Sequence, residues 1–268
     1  MRMRKLGWAG VELEYEGSTL IIDSIITGGV FDAFMAEGEE ELVAPTQQPL
    51  AALVTHLHRD HTDVAALEKA LGTGGIVMRP GRVRFESEMQ KFSILGTEEE
   101  LANSALKTEE LQPGDQHQVG PYTVNAVSAV DGLGSPQISW IVEAGGTTVF
   151  HGGDTLWHGG WWDFAAEYGP IDAALLPGNA ARLDYPMQQP AVNVPATLSP
   201  EQAVEAAYAM QTELLIPMHF SRKFEHEKFY RPIHDSQARL ETAAAERDVT
   251  LAFPEIGDFI DLRVPAAA

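Results

Sequence analysis

The chain contains no cysteine. That excludes disulfides, thiolate metal ligands and a cysteine nucleophile, so any metal has to be held by nitrogen and oxygen. No apolar run approaches a membrane span. The first residues, Met1-Arg2-Met3-Arg4-Lys5-Leu6, carry charge without an apolar h-region, which makes a cytoplasmic protein with no membrane partner the expectation. Basic residues are scarce, with 18 Lys and Arg against 39 Asp and Glu and a formal net charge of −21. Such a surface repels phosphate backbones and anionic membranes, so nucleic acid is not an expected partner. No internal repeat of short period is visible. The 268 residues, 44% of them hydrophobic, suit a single domain over residues 1–268 with a substantial core.

Against these absences one stretch stands out. Thr55-His56-Leu57-His58-Arg59-Asp60-His61-Thr62-Asp63 holds three imidazoles and a carboxylate within six positions. Residues 50–54 before it form a short apolar run suited to a buried strand. Residues 64–71 after it have helical spacing, with Thr62 or Asp63 as N-cap. The cluster therefore leaves a buried strand for a helix, where a scaffold presents side chains to a cleft. His56 and His58, two apart in extended chain, point the same way. Asp60 and His61 follow where the chain turns and face a second point. One imidazole pair and one imidazole-carboxylate pair are what two adjacent divalent metals need.

Along the rest of the chain, residues 11–15 and 19–22 read as a hairpin closing on Asp23. Residues 27–49 read as a loop over the site mouth or a partner contact. A short helix is expected from Thr97, strands at residues 75–78 and 122–127, and a hairpin at residues 139–143 and 147–150. That hairpin runs into His151-Gly152-Gly153-Asp154-Thr155, where two glycines let the backbone approach whatever Asp154 touches. Residues 157–162 hold three tryptophans, suited equally to a substrate pocket or to packing. Residues 171–178 read as a strand and its stop. Residues 179–197 read as a long ordered loop that could act as a lid. Ser199-Pro200 opens a helix through Met210, and residues 214–220 form a strand carrying His219 at its end. Arg222, Lys223, His226, Lys228, Arg231 and His234 make the densest basic patch, suited to an anionic group or to balancing acids. A helix at residues 237–247 and strands at 250–253 and 259–264 close the chain.

The pattern H-x-H-x-D-H after a buried strand resembles the signature of the metallo-β-lactamase fold hydrolases. The resemblance implies an α/β fold, a four-layer αβ/βα sandwich with two mixed sheets face to face and helices outside. It assigns His56 and His58 to one metal, Asp60 and His61 to the other, Asp154 between them and His219 to the second, with Asp23 near the metals. One position departs from the family. Where relatives usually place a third histidine for the first metal, the nearest match is Asp131. A third carboxylate makes the pair less electrophilic and shifts its preference from zinc toward manganese or iron, or leaves the first site weakly held.

The implied activity is hydrolysis by a metal-bound hydroxide, with Asp60 as catalytic proton acceptor and two divalent ions as cofactors. The segment order is most similar to the branch containing the ascorbate-6-phosphate lactonase, which implies a small-molecule lactone, ester or phosphodiester as substrate. Two other classes stay open: a catalytically degenerate binding subunit and a mononuclear iron dioxygenase. The sequence also leaves a homo-oligomer open.

Overall fold

Three strands open the chain, and the computed structural model describes them within residues 1–27, 42–84, 87–188, 195–219 and 229–262. β1 (Arg2–Gly7), β2 (Gly10–Tyr15) and β3 (Ser18–Ile22) form an antiparallel meander. β1 was hidden in sequence by its charges, but Met3 and Leu6 are fully buried while the arginines reach Glu14 and Glu12 on β2. β4 (Ala52–Leu53) then pairs parallel with β3 and with β5 (Ile76–Pro80). The chain crosses between them through α1 (Val64–Leu71), whose Asp63 cap accepts from the Ala66 amide. Val64, Leu67 and Leu71 fall at helical spacing and are buried, so one face of α1 covers the sheet.

The helix expected from Thr97 begins earlier. Ser87 closes a capping box over α2 (Glu88–Gln90), a π-helical stretch follows at Lys91–Leu95, and α3 (Gly96–Asn103) continues it. Thr97 is a buried helical residue rather than a cap. β5 runs on through Arg79 and Pro80, two residues beyond the strand expected at residues 75–78. The Arg79 guanidinium is buried against Glu98, and Pro80 sits opposite Leu111 at the strand end. β6 (Lys107–Leu111) completes this side.

The second half holds β7 (Gln116–Val119), β8 (Tyr122–Ser128), β9 (Ile138–Ala144) and β10 (Thr147–His151) as an antiparallel run. After α4 (Trp161–Tyr168), β11 (Ala173–Pro177) lies parallel to β10. The short β12 (Arg182–Leu183) follows, then α5 (Pro200–Ala209) and β13 (Leu214–Met218), which is parallel to β11. β14 (Tyr230–Arg231) pairs with β12. The last elements are α6 (Ser236–Arg247), β15 (Thr250–Leu251) and β16 (Phe259–Asp261).

Among the described residues these strands make two seven-stranded mixed sheets, ordered β16-β1-β2-β3-β4-β5-β6 and β15-β13-β11-β10-β9-β8-β7. Alternation along each strand sorts side chains into three apolar clusters. Leu20 and Ile22, Trp140 and Val142, and Ala173 and Leu175 meet between the sheets. Ile141, Ala174 and Phe150 face α4, α5 and α6. Ile21, Ala52 and Val77 face α1 and α3. Three interior layers separate four structural layers, helix, sheet, sheet, helix, as the resemblance implied. Because both faces are covered, the central strands read as unbroken apolar runs.

Candidate metal centre

The donors lie where strands of like direction end. β3 ends at Asp23, β4 at the Thr55–Asp63 loop, β10 before Asp154 and β13 before His219. β8, which like β10 is antiparallel to β9, leads toward Asp131, and a bridge between Asp131 and Thr155 brings that loop beside Asp154. The result is two groups of buried or half-buried donors. Asp60, His61, Asp154 and His219 form one; His56, His58 and Asp131 form the other.

Within the first group, Nε2 of His61, Nε2 of His219 and Oδ1 of Asp154 are mutually 3.0 Å apart. Two imidazole nitrogens face one another only with a proton or a cation between them. Oδ1 of Asp154 is buried and makes no well-aligned hydrogen bond. Donors at adjacent positions around an ion with bonds of about 2.0–2.1 Å lie roughly 3.0–3.4 Å apart, so this triangle fits a divalent metal. Asp154 turns its other oxygen, Oδ2, to within 3.9 Å of Nε2 of His56, which is also buried without a partner among the described residues. Asp154 thus stands between the two groups.

Hydrogen bonds behind the donors fix their tautomers. Asp23 accepts from the Thr55 amide at 2.8 Å on Oδ1, and from the Thr55 hydroxyl at 2.6 Å and His61 Nδ1 at 2.7 Å on Oδ2. With its hydroxyl hydrogen given to Asp23, Thr55 Oγ1 receives the Nδ1 proton of His56 at 3.0 Å. In both rings the outer nitrogen is held by a buried acceptor and Nε2 faces inward. Asp131 accepts the Leu133 and Ser135 amides on Oδ2, at 3.1 and 2.6 Å. His58 Nε2 lies 3.0 Å from Ser135 Oγ. Asp60 Oδ2 receives the Trp8 indole N–H at 3.1 Å, and the same indole stacks on His219 at 4.2 Å.

Local backbone strain accompanies these contacts. Asp23, Trp8 and His219 all adopt left-handed φ, at 47°, 39° and 54°. Such conformations cost about 1–3 kcal/mol each and persist where the surroundings over-determine them. Gly153 is left-handed too, and a Cβ there would meet Thr55 at 2.7 Å, so glycine is required for β10 to deliver Asp154.

The charges at the centre act strongly on one another. Burial alone would lower the His61 pKa, but the carboxylates of Asp154, Asp60 and Asp23 outweigh it and raise it well above the ordinary value. Burial would raise Asp154, but His219 and His61 outweigh it and hold its carboxyl well below the usual range. His56 goes the other way, lowered by burial and by its neighbours His61 and His58. Burial pushes the Asp131 carboxyl up.

The sequence profile of the beta-lactamase superfamily domain matches residues 23–220, from Asp23 to just beyond His219. The chain belongs to the metallo-β-lactamase superfamily. Its described residues include two candidate groups of metal-binding residues. A "UPF0173 metal-dependent hydrolase" of Desulforamulus reducens is 24% identical over 236 residues, covering 82% of this chain and 85% of the relative. The fold is shared with Igni18, a metallo hydrolase from Ignicoccus hospitalis, at a TM-score of 0.67 and 16% identity over 97% of each chain. It is also shared with an isothiocyanate hydrolase from Delia radicum gut bacteria, at a TM-score of 0.68 and 15% identity over 97% of this chain and 99% of that one.

In this metallo-β-lactamase superfamily member a cavity opens over both donor groups. Its wall is mostly apolar, with Met89, Phe92, Leu133, Leu183 and Tyr185 around His58, Asp60, Asp131 and Asp154. Phe92 comes from the π-helical stretch, an irregularity often found at functional sites. Two phenols line the cavity. Tyr230 is held well above its ordinary pKa by burial and by the charges of Asp154 and Asp60; Tyr185 is also raised, by burial and Asp60.

The tryptophan segment takes no part in this cavity. Trp161 is buried against Phe150 and Phe164, while Trp157 and Trp162 are exposed at the surface. Residues 28–41 of the expected mouth loop, 189–194 of the expected lid, and Arg222, Lys223, His226 and Lys228 of the basic patch lie outside the described residues. Sequence reading missed Trp8, Thr55, Tyr185 and Tyr230, whose places depend on long-range pairing.

No helix among the described residues is long and apolar enough to cross a membrane.

Proposed function

We propose that the protein hydrolyses an uncharged carboxylic ester or lactone at a pair of divalent metal ions. The position of Asp154 carries this reading, with one oxygen toward His61 and His219 and the other toward His56. His56, His58 and Asp131 would hold the first ion, Asp60, His61 and His219 the second, and Asp154 would serve both. When bound, the ions lower the pKa of water and polarise the substrate oxygen. Asp60, oriented by Trp8, accepts the proton of the attacking water. His56 and His61 are held with Nε2 inward by Thr55 and Asp23, so no reorientation is needed on loading. The hard oxygen donor at Asp131 favours manganese or iron over zinc in the first position.

The cavity wall supports an uncharged substrate. Arg59 is the cationic side chain lining the cavity among the described residues, and Glu100 already holds it by two bonds of 2.6 and 2.7 Å. A phosphodiester would lie against Met89, Phe92 and Leu133 with that charge already spent. An acyl or ring carbon skeleton is at home there.

The test is a turnover screen of protein reconstituted with manganese or zinc against lactones, carboxylic esters and phosphodiesters. Lactone or ester hydrolysis that is lost in His58→Ala and falls at least about 100-fold in Asp60→Asn is expected. Turnover confined to phosphodiesters, or activity untouched in Asp60→Asn, would contradict the reading.

A further inference from the structure

We infer that Tyr230 is a catalytic residue, whose phenolic O–H donates a hydrogen bond to the substrate oxygen that gains negative charge during hydrolysis. This rests on the hydrolytic reading of the same site. The hydrogen bonds around Asn179 and Tyr230 have fixed directions. The backbone N–H of Ala181 can only donate, and it points to Oδ1 of Asn179 at 3.3 Å. The Thr197 hydroxyl donates to the same oxygen at 2.8 Å. That settles which end of the amide is which, so it is Nδ2 of Asn179 that meets the Tyr230 oxygen at 2.8 Å, and Nδ2 can only donate.

The phenolic oxygen is therefore an acceptor in that bond, and its own hydrogen must be directed elsewhere. Among the described residues no hydrogen bond takes it up. A buried hydroxyl whose donor is unspent is costly unless something arrives to accept it. Tyr230 lines the same cavity as Asp60, Asp131 and Asp154, close enough for the charges of Asp154 and Asp60 to act on it. With Asp60, Asp131 and Asp154 holding metal ions, a substrate oxygen would be the acceptor left for this hydrogen.

The rest of the surroundings hold the ring in place. β14 carries Tyr230 and pairs with β12, and Trp8 packs 6.4 Å away at a tilt. The donor is thus built on paired backbone, and its oxygen is polarised by an amide that is itself locked. A fixed donor facing developing charge from a mostly apolar wall is the arrangement that lowers a barrier most efficiently. Because Asn179 donates into it, the phenol O–H is a better donor than an isolated tyrosine.

The experiment measures binding and does not need turnover. Metal-loaded protein is titrated with hexyl methylphosphonate, a tetrahedral anion with an apolar tail, by calorimetry, with metal content measured alongside. Tyr230→Phe removes one oxygen and is expected to bind about 10- to 100-fold more weakly with metal content unchanged. Replacing Tyr230 by 3-fluorotyrosine keeps the ring and the Asn179 contact but makes the phenol more acidic, and is expected to bind at least twofold more tightly. A merely structural tyrosine would leave the fluorinated protein unchanged. Phosphonate affinity that is the same in all three proteins, or no binding by the wild type, would overturn the inference. Failure of the hydrolytic reading shows separately, as phosphonate binding that depends on Tyr230 without turnover of any ester or lactone.

Discussion

His61 and His219, 158 positions apart in the chain, bring their Nε2 atoms to 3.0 Å. Such a contact needs a proton or a cation between the two nitrogens, and a shared metal would supply the cation. Oδ1 of Asp154 completes an equilateral triangle with them, and Asp23 behind His61 ensures that the inward nitrogen carries its lone pair once a metal replaces the proton.

Asp23 should therefore matter to metal affinity although it touches no metal. Asp23→Asn keeps the shape but puts an amide against three donors, the Thr55 N–H, the Thr55 O–H and His61 Nδ1–H. Removing such an orienting partner typically costs about 10- to 100-fold in metal affinity. Competition with a chromophoric chelator should show that loss at the second position, and an unchanged affinity would remove Asp23 from its orienting role.

Loading should release protons unequally. In the metal-free protein the His61 pKa lies well above its ordinary value of about 6.5, so near neutral pH the ring is charged and must lose a proton to bind. His56 is shifted down and has none to lose. Calorimetry at pH 7 in buffers of different ionisation enthalpy should report about one proton released from His61. Affinity should weaken as pH falls through the raised value. The same shifts set the stability of chelated protein. The raised His61 contributes fully below about pH 6.5 and loses its contribution as pH rises through its folded value. The depressed Asp154 contributes above about pH 3.9 and loses its contribution as pH falls through its own. Thermal melts should thus be highest between these limits and fall on the alkaline side as His61 discharges.

Asp131→Asn separates the two positions. The amide oxygen can still accept the Leu133 and Ser135 N–H groups, so the loop should hold, but the charge facing His56 and His58 is gone. Elemental analysis after gel filtration should fall from two ions per chain to about one, with little change in melting temperature. Two retained ions would show that the Asp131 charge is dispensable.

Much of this was legible locally. Three histidines and Asp60 lie in one loop because a strand end and a capped helix bracket them, and spacing alone divides them between two points. Asp154 was readable from the glycines before it, and the contact of Gly153 with Thr55 gives the steric reason. Resemblance supplied His219 and singled out Asp131, which the structure brings beside His56 and His58. The helix before Thr97 escaped because its start is a capping box on polar residues followed by a π-helical turn, neither of which has an apolar period. Trp8 and Tyr230 escaped for another reason. Their roles come from contacts across the fold, through a β1–β2 turn in left-handed conformation and a two-residue strand pair, and single aromatic residues carry no local mark of either.

Anomalous diffraction at the manganese and zinc edges, from crystals grown with both metals, locates any ions held by these residues. Two peaks are predicted, one bounded by His56, His58 and Asp131 and one by Asp60, His61 and His219, with Asp154 reaching both and manganese enriched at the first. A single peak, or density away from Asp154, would contradict a paired-metal centre.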